Sequence, residues 1–119
     1  MPQITVRMTP EARTRFDRYA EEVGLDASEL ARLLILRAMR RRKLPRLDGE
    51  RLRTPARSDT RKLTAHFHRA EIVEEFDSFA AASGLIRAAA AKAIFVRELD
   101  ERWLAHALVW APRRPRPAS

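Results

Sequence analysis

The chain has 119 residues, a formal net charge of +8 from 24 Lys and Arg against 16 Asp and Glu, and no cysteine. That length suffices for one domain of modest core. The missing cysteines exclude a disulfide framework and a thiolate site, and no apolar run reaches the ~18 residues of a membrane span. Residues 1–60 hold 14 basic and 9 acidic side chains and residues 61–119 hold 10 and 7, so both halves are positive and a polyanion is the first candidate partner. The alternative is arginine that merely keeps helices in solution. The opening Met1-Pro2-Gln3-Ile4-Thr5 is not a signal peptide, and a soluble cytoplasmic protein is expected.

Gln3 to Met8 alternate strictly, Ile4, Val6 and Met8 on one face and Gln3, Thr5 and Arg7 on the other, which predicts a half-buried strand. Thr9-Pro10-Glu11 reads as an N-cap, a proline at the first helical position and an acid in the first turn. The helix it opens carries an apolar stripe of Ala12, Phe16, Tyr19, Ala20 and Val23 and ends at Gly24. Asp26 with Glu29 forms a capping-box-like pair for a second helix. Leu33-Leu34-Ile35-Leu36 is apolar on all sides, so that helix is expected to be buried on more than one face.

Residues 45–61 carry Pro45, Gly49 and Pro55 among charges with no sustained period and read as a linker; about 17 residues reach up to roughly 60 Å when extended. The order then starts again. Lys62, Thr64, His66 and His68 alternate with Leu63, Ala65 and Phe67, and a helix with Ile72, Val73, Phe76, Phe79 and Ala80 ends at Gly84. Ile86 stands where Asp26 stood, so the last helix starts without a capping side chain. Val96, Leu99, Trp103 and Trp110 recur at helical spacing, extending it to about Trp110. Pro112 stops it ahead of a basic tail, residues 112–119, expected to be disordered.

A shift of 60 positions lays Phe16-Asp17 on Phe76-Asp77, Ala20 on Ala80, Gly24-Leu25 on Gly84-Leu85, Arg37 on Arg97 and Arg42 on Arg102. The strands match at a shift of 59. One unit therefore occurs twice, in residues 1–44 and 62–111, and two copies in one chain can form a pseudo-two-fold object, the covalent counterpart of a homodimer.

Strand, helix, glycine turn and helix in about 45 residues, with Met1 to Met8 as the strand and Gly24-Leu25-Asp26-Ala27-Ser28-Glu29-Leu30 as the turn, resembles the ribbon-helix-helix family of DNA-binding proteins, and the strand looks especially like the ribbon of Arc-type repressors. The resemblance covers both repeats and neither linker nor tail. It implies a mainly α fold with a short two-stranded antiparallel β-ribbon, both strands supplied by this chain as an intramolecular pseudo-dimer. It also implies double-stranded DNA as partner, the ribbon lying in the major groove. By position Gln3, Thr5, Arg7, Lys62, Thr64 and His66 would read base edges, the alternative being the solvated face of a strand. The N–H groups of Ala27, Ser28 and Glu29 with the Ser28 hydroxyl, and Arg87 in the second repeat, would hold phosphates at helix starts. Asp26 departs from the usual Ser or Thr and serves equally as a simple cap.

His66 and His68 lack a third ligand for a metal, and Glu74-Glu75 and Asp100-Glu101 have no clustered nucleophile or base, so neither metal, cofactor nor enzymatic activity is expected. Trp103 and Trp110 fit core or covering roles, or pairing with another copy. The implied use is transcriptional repression. The alternatives are a relaxosome accessory protein that binds a plasmid transfer origin beside a relaxase, and a protein-interaction module or antitoxin. Self-association on adjacent DNA sites is compatible with each.

Overall fold

A computed structural model describes residues 2–45 and 60–110, the last two by backbone alone. Strand β1 (Gln3–Met8) is followed by helices α1 (Pro10–Glu22) and α2 (Ala27–Arg41). Strand β2 (Arg61–His66) is followed by α3 (Ala70–Ala82), α4 (Arg87–Glu101) and α5 (Trp103–Trp110). Strand, helix, turn, helix thus occurs twice, and the two strands form one two-stranded antiparallel sheet.

Local chemistry sets these boundaries. Thr9 Oγ1 accepts the Ala12 N–H at 3.1 Å with Pro10 in the first turn, which starts α1. Gly24 (φ +80°) and Gly84 (φ +76°) turn the chain between the helices of each repeat in the left-handed region, where a Cβ is disfavoured. Asp26 and Glu29 complete a capping box at the start of α2: Glu29 N–H donates to Asp26 Oδ1 at 2.8 Å and Asp26 N–H to Glu29 Oε1 at 3.0 Å. At α4 the N-cap Ile86 offers no such bond.

The register pairs Gln3 with His66, Thr5 with Thr64 and Arg7 with Lys62, so the pseudo-two-fold axis passes between the two threonines. Beneath the ribbon, Ile4, Val6, Met8, Leu63, Ala65 and Phe67 are all buried. The covering helices are exchanged: α2 packs on β2 and α4 on β1. Phe16 of the first repeat meets Phe95 of the second with ring centroids 5.3 Å apart, and Tyr19 donates to Glu98 at 2.5 Å. Each large side chain so buried contributes about 2 kcal/mol. The repeats share one core, and neither closes its own.

Three expectations need correction. The long last helix is two helices: Arg102 adopts the left-handed conformation (φ 50°) and separates α4 from α5, as Arg42 (φ 52°) ends α2. The apolar run of α2 is buried on one side only, because β2 and α4 cover Leu34 and Ile35 while Leu33 and Leu36 stay exposed. Arg61, placed in the linker, opens β2. The rest of the proposed linker, apart from Pro45 and Thr60, and the tail 112–119 lie outside the described residues, as does the side chain of Trp110. No single helix among the described residues is long and apolar enough to cross a membrane.

Candidate nucleic-acid interface

Strand alternation puts the six outward residues of the ribbon on one face. Gln3, Arg7, Lys62 and His66 are exposed, and Thr5 and Thr64 are half-buried at its centre. The two threonine hydroxyls lie 3.0 Å apart on the pseudo-axis. One donates to the other, so one hydroxyl proton remains for an outside acceptor.

The face is polar in two senses, because its ends differ. Arg7 lies opposite Lys62, and Gln3 opposite His66. Two like charges directly across a ladder cost the fold a few tenths of a kcal/mol or more. Such a pairing is stabilised by an anion that touches both. The cationic end is braced: Arg7 Nη1 donates to Thr60 Oγ1 at 3.0 Å, and Arg13 Nε donates to the Lys62 carbonyl at 3.2 Å while its guanidinium pairs with Asp17. Neither Thr60 nor Arg13 stood out in the sequence, since Thr60 reads as linker and Arg13 as one more basic residue of an amphipathic helix.

At the other end the Phe67 N–H reaches the Pro2 carbonyl at 2.9 Å, which carries the pairing one step past Gln3 and His66. There the residue across from His66 is the uncharged Gln3.

The helix starts behave differently from the ribbon. Ser28, expected to offer its hydroxyl to a phosphate, donates it to the Thr64 carbonyl at 2.6 Å and so ties α2 to β2. The Glu29 N–H is held by Asp26. Of the groups assigned there, the N–H donors of Ala27 and Ser28 are first-turn groups with no acceptor inside the helix. Arg87 lies exposed at the start of α4 and grips Asp77 with two nitrogens, at 2.6 and 2.5 Å. That double hydrogen bond holds the Asp77 carboxyl below its ordinary range and raises the Arg87 guanidinium. A phosphate at this helix start would compete with Asp77 for Arg87.

Away from the ribbon, Glu98 is buried and accepts from both the Tyr19 hydroxyl and the Leu104 N–H (2.8 Å), while Tyr19 Oη accepts the Ala105 N–H at 3.1 Å. Two side chains from different repeats thereby satisfy the first turn of α5. Burial and the Glu98 hydrogen bond push the Tyr19 phenol well above its usual value. Trp103 is a covering residue with the Arg37 guanidinium 3.7 Å from its ring centroid. Among the described residues no three His, Cys, Asp or Glu side chains are grouped as metal ligands.

Comparison of the chain with protein-family models, with curated proteins and with solved structures finds no match.

Proposed function

We propose that this chain is a tandem ribbon-helix-helix protein that binds double-stranded DNA sequence-specifically, laying its two-stranded ribbon in the major groove, and that it represses transcription by occupying its site. The observation that carries this reading is the register, which gathers Gln3, Thr5, Arg7, Lys62, Thr64 and His66 on one outward face above a fully packed base. A groove ~12 Å wide admits a two-stranded ribbon. On this reading Arg7 and Lys62 donate to guanine O6 and N7, Gln3 pairs with adenine N6 and N7, and the threonines meet a thymine methyl. Charge supplies the non-specific part: the +8 chain binds phosphates with release of counterions. The protein is a binding module and not an enzyme, and it works on DNA in the cytoplasm.

The inequality of the ribbon ends favours a second use of the same activity. A protein with Arg7 and Lys62 at one end and Gln3 and His66 at the other sits on DNA in one orientation. That suits a directional element such as a plasmid transfer origin served by a relaxase.

Binding-site selection from a random duplex pool tests the reading. A defined motif should emerge, and Arg7→Ala should cost about 1 to 3 kcal/mol on it while relaxing base preference at one end only. An unchanged motif and specificity ratio in Arg7→Ala would remove the ribbon as the reading head.

A further inference from the structure

The internal repeat offers its own template for a docking site. The end of α4 in the second repeat and the side of α1 in the first form a place where α5 lies, held by Tyr19 and Glu98, with Arg102 paired to Glu22 and its guanidinium carbon 4.9 Å from the Tyr19 ring centroid. Shifted by 60 positions, Leu99, Arg102, Tyr19 and Glu22 become Met39, Arg42, Phe79 and Ala82. Those four residues line a groove of about 720 Å³ between α2 and α3 that is open among the described residues. Across the pseudo-axis, the same place is filled by the chain's own helix.

The two places differ in charge. Where the filled one has Glu11, Thr14 and Arg15, the open one has Glu71, Glu74 and Glu75. Arg15 spends its guanidinium on the Leu99 carbonyl, whereas Glu74 and Glu75 are exposed carboxylates beside the half-buried Met39 and Phe79. Against Arg42, three carboxylates leave the groove net negative on a chain that is positive overall. Its fitting occupant is basic, and it needs no helix cap, since Phe79 and Ala38 stand where Tyr19 and Glu98 receive the first turn of α5.

We propose that this groove receives residues 111–119 of a second copy, whose Arg113, Arg114 and Arg116 meet Glu71, Glu74 and Glu75. Groove and tail are different surfaces, so the contact is heterologous and repeats from copy to copy. It lines molecules up head to tail, and being formed by rim charges it is weak and sensitive to salt. The proposal does not depend on the DNA reading.

The test is sedimentation of the full chain without DNA, at low and high salt. Association should grow with concentration at low salt and vanish near 0.5 M, where the screening length is only a few ångströms. Glu74→Arg/Glu75→Arg and Arg113→Glu/Arg114→Glu should each weaken association about tenfold or more. Their equimolar mixture, which again pairs opposite charges, should associate like the parent. Circular dichroism establishes that both variants fold. A chain that stays monomeric at low salt overturns the proposal, including the case in which the tail fills its own groove. So does a tail variant that associates like the parent, or a mixture that does not recover.

Discussion

The two repeats coincide at a few buried and turn positions and differ on the outward ribbon face, at the helix caps and at the Tyr19–Glu98 contact. Phe16 and Phe76, Ala20 and Ala80, and Ala31 and Ala91 are all fully buried, and Gly24 with Gly84 and Arg42 with Arg102 share left-handed backbone. The outward ribbon residues agree only at the central threonine. Helix caps differ as well, Asp26 against Ile86, and so do the helix ends, where Trp103 opens a further helix and Lys43 at the matching position does not. Two identical subunits must change in both places at once. A fused pair is free of that constraint, so its shared core keeps the pseudo-symmetry while each exposed half can serve a different end.

The largest break in that comparison is made at Tyr19, whose counterpart is Phe79. Tyr19→Phe removes the donor to a buried carboxylate and the acceptor of the Ala105 N–H, so it should cost about 2 kcal/mol in chemical denaturation. Adding Glu98→Ala should cost much less than it does alone, since both belong to one network. The pH profile has a definite sign. A phenol raised in the folded state contributes stability that is complete below its unfolded value near 10 and fades as pH rises beyond it, so above pH about 10 the parent should lose stability faster than Tyr19→Phe. Parallel profiles would mean that the phenol is not held by Glu98.

Exchanging the caps sharpens the contrast at the second helices. Asp26→Ala should cost about 1 kcal/mol, and Ile86→Asp should stabilise by about 0.5 to 1, since Ile86 is 73% exposed and its backbone already has the extended N-cap conformation. A loss of stability in Ile86→Asp would show that the exposed isoleucine has an apolar role that outweighs the cap.

The smallest effect belongs to Asp77. Its exposed pair with Arg87 stabilises by less than about 1 kcal/mol. With the carboxyl held low, that contribution is present above the ordinary Asp range and fades as pH falls through the lowered value, so parent and Asp77→Asn should converge in strong acid. DNA binding gives the sharper readout. Asp77→Asn should raise affinity by releasing Arg87, whereas Arg87→Ala should lower it for all sequences and flatten the log–log salt slope by about one. No change in either variant would assign Arg87 to Asp77 alone.

Elements were legible in the sequence because their signals are local. Alternation in Gln3 to Met8, the Thr9-Pro10 start, the Asp26–Glu29 pair and the two glycine turns each need only a few neighbouring residues. The differing shifts of strand and helix also indicated which strand residues share a face. What stayed hidden depends on distant partners. Val96, Leu99 and Trp103 continue in helical phase through Arg102, and nothing in an arginine announces a left-handed backbone. Glu98 lies among the charges of Arg97 to Glu101, and its buried partner Tyr19 comes from the other repeat. The Ser28 bond to the Thr64 carbonyl spans the interface between repeats and the Arg87 bond to Asp77 crosses a turn to a residue ten positions earlier, so neither is legible from neighbouring residues.

Whether an unequal ribbon reads an unequal site is decided by making the ribbon equal. Lys62→Gln with His66→Arg gives both strands Gln, Thr and Arg in the same order, all on exposed or half-buried positions. Binding-site selection should then yield an asymmetric element for the parent and an inverted repeat for the double variant, whose two halves each resemble the half contacted by Gln3, Thr5 and Arg7 in the parent. The same selected motif from both proteins, or no motif from either, would contradict the claim.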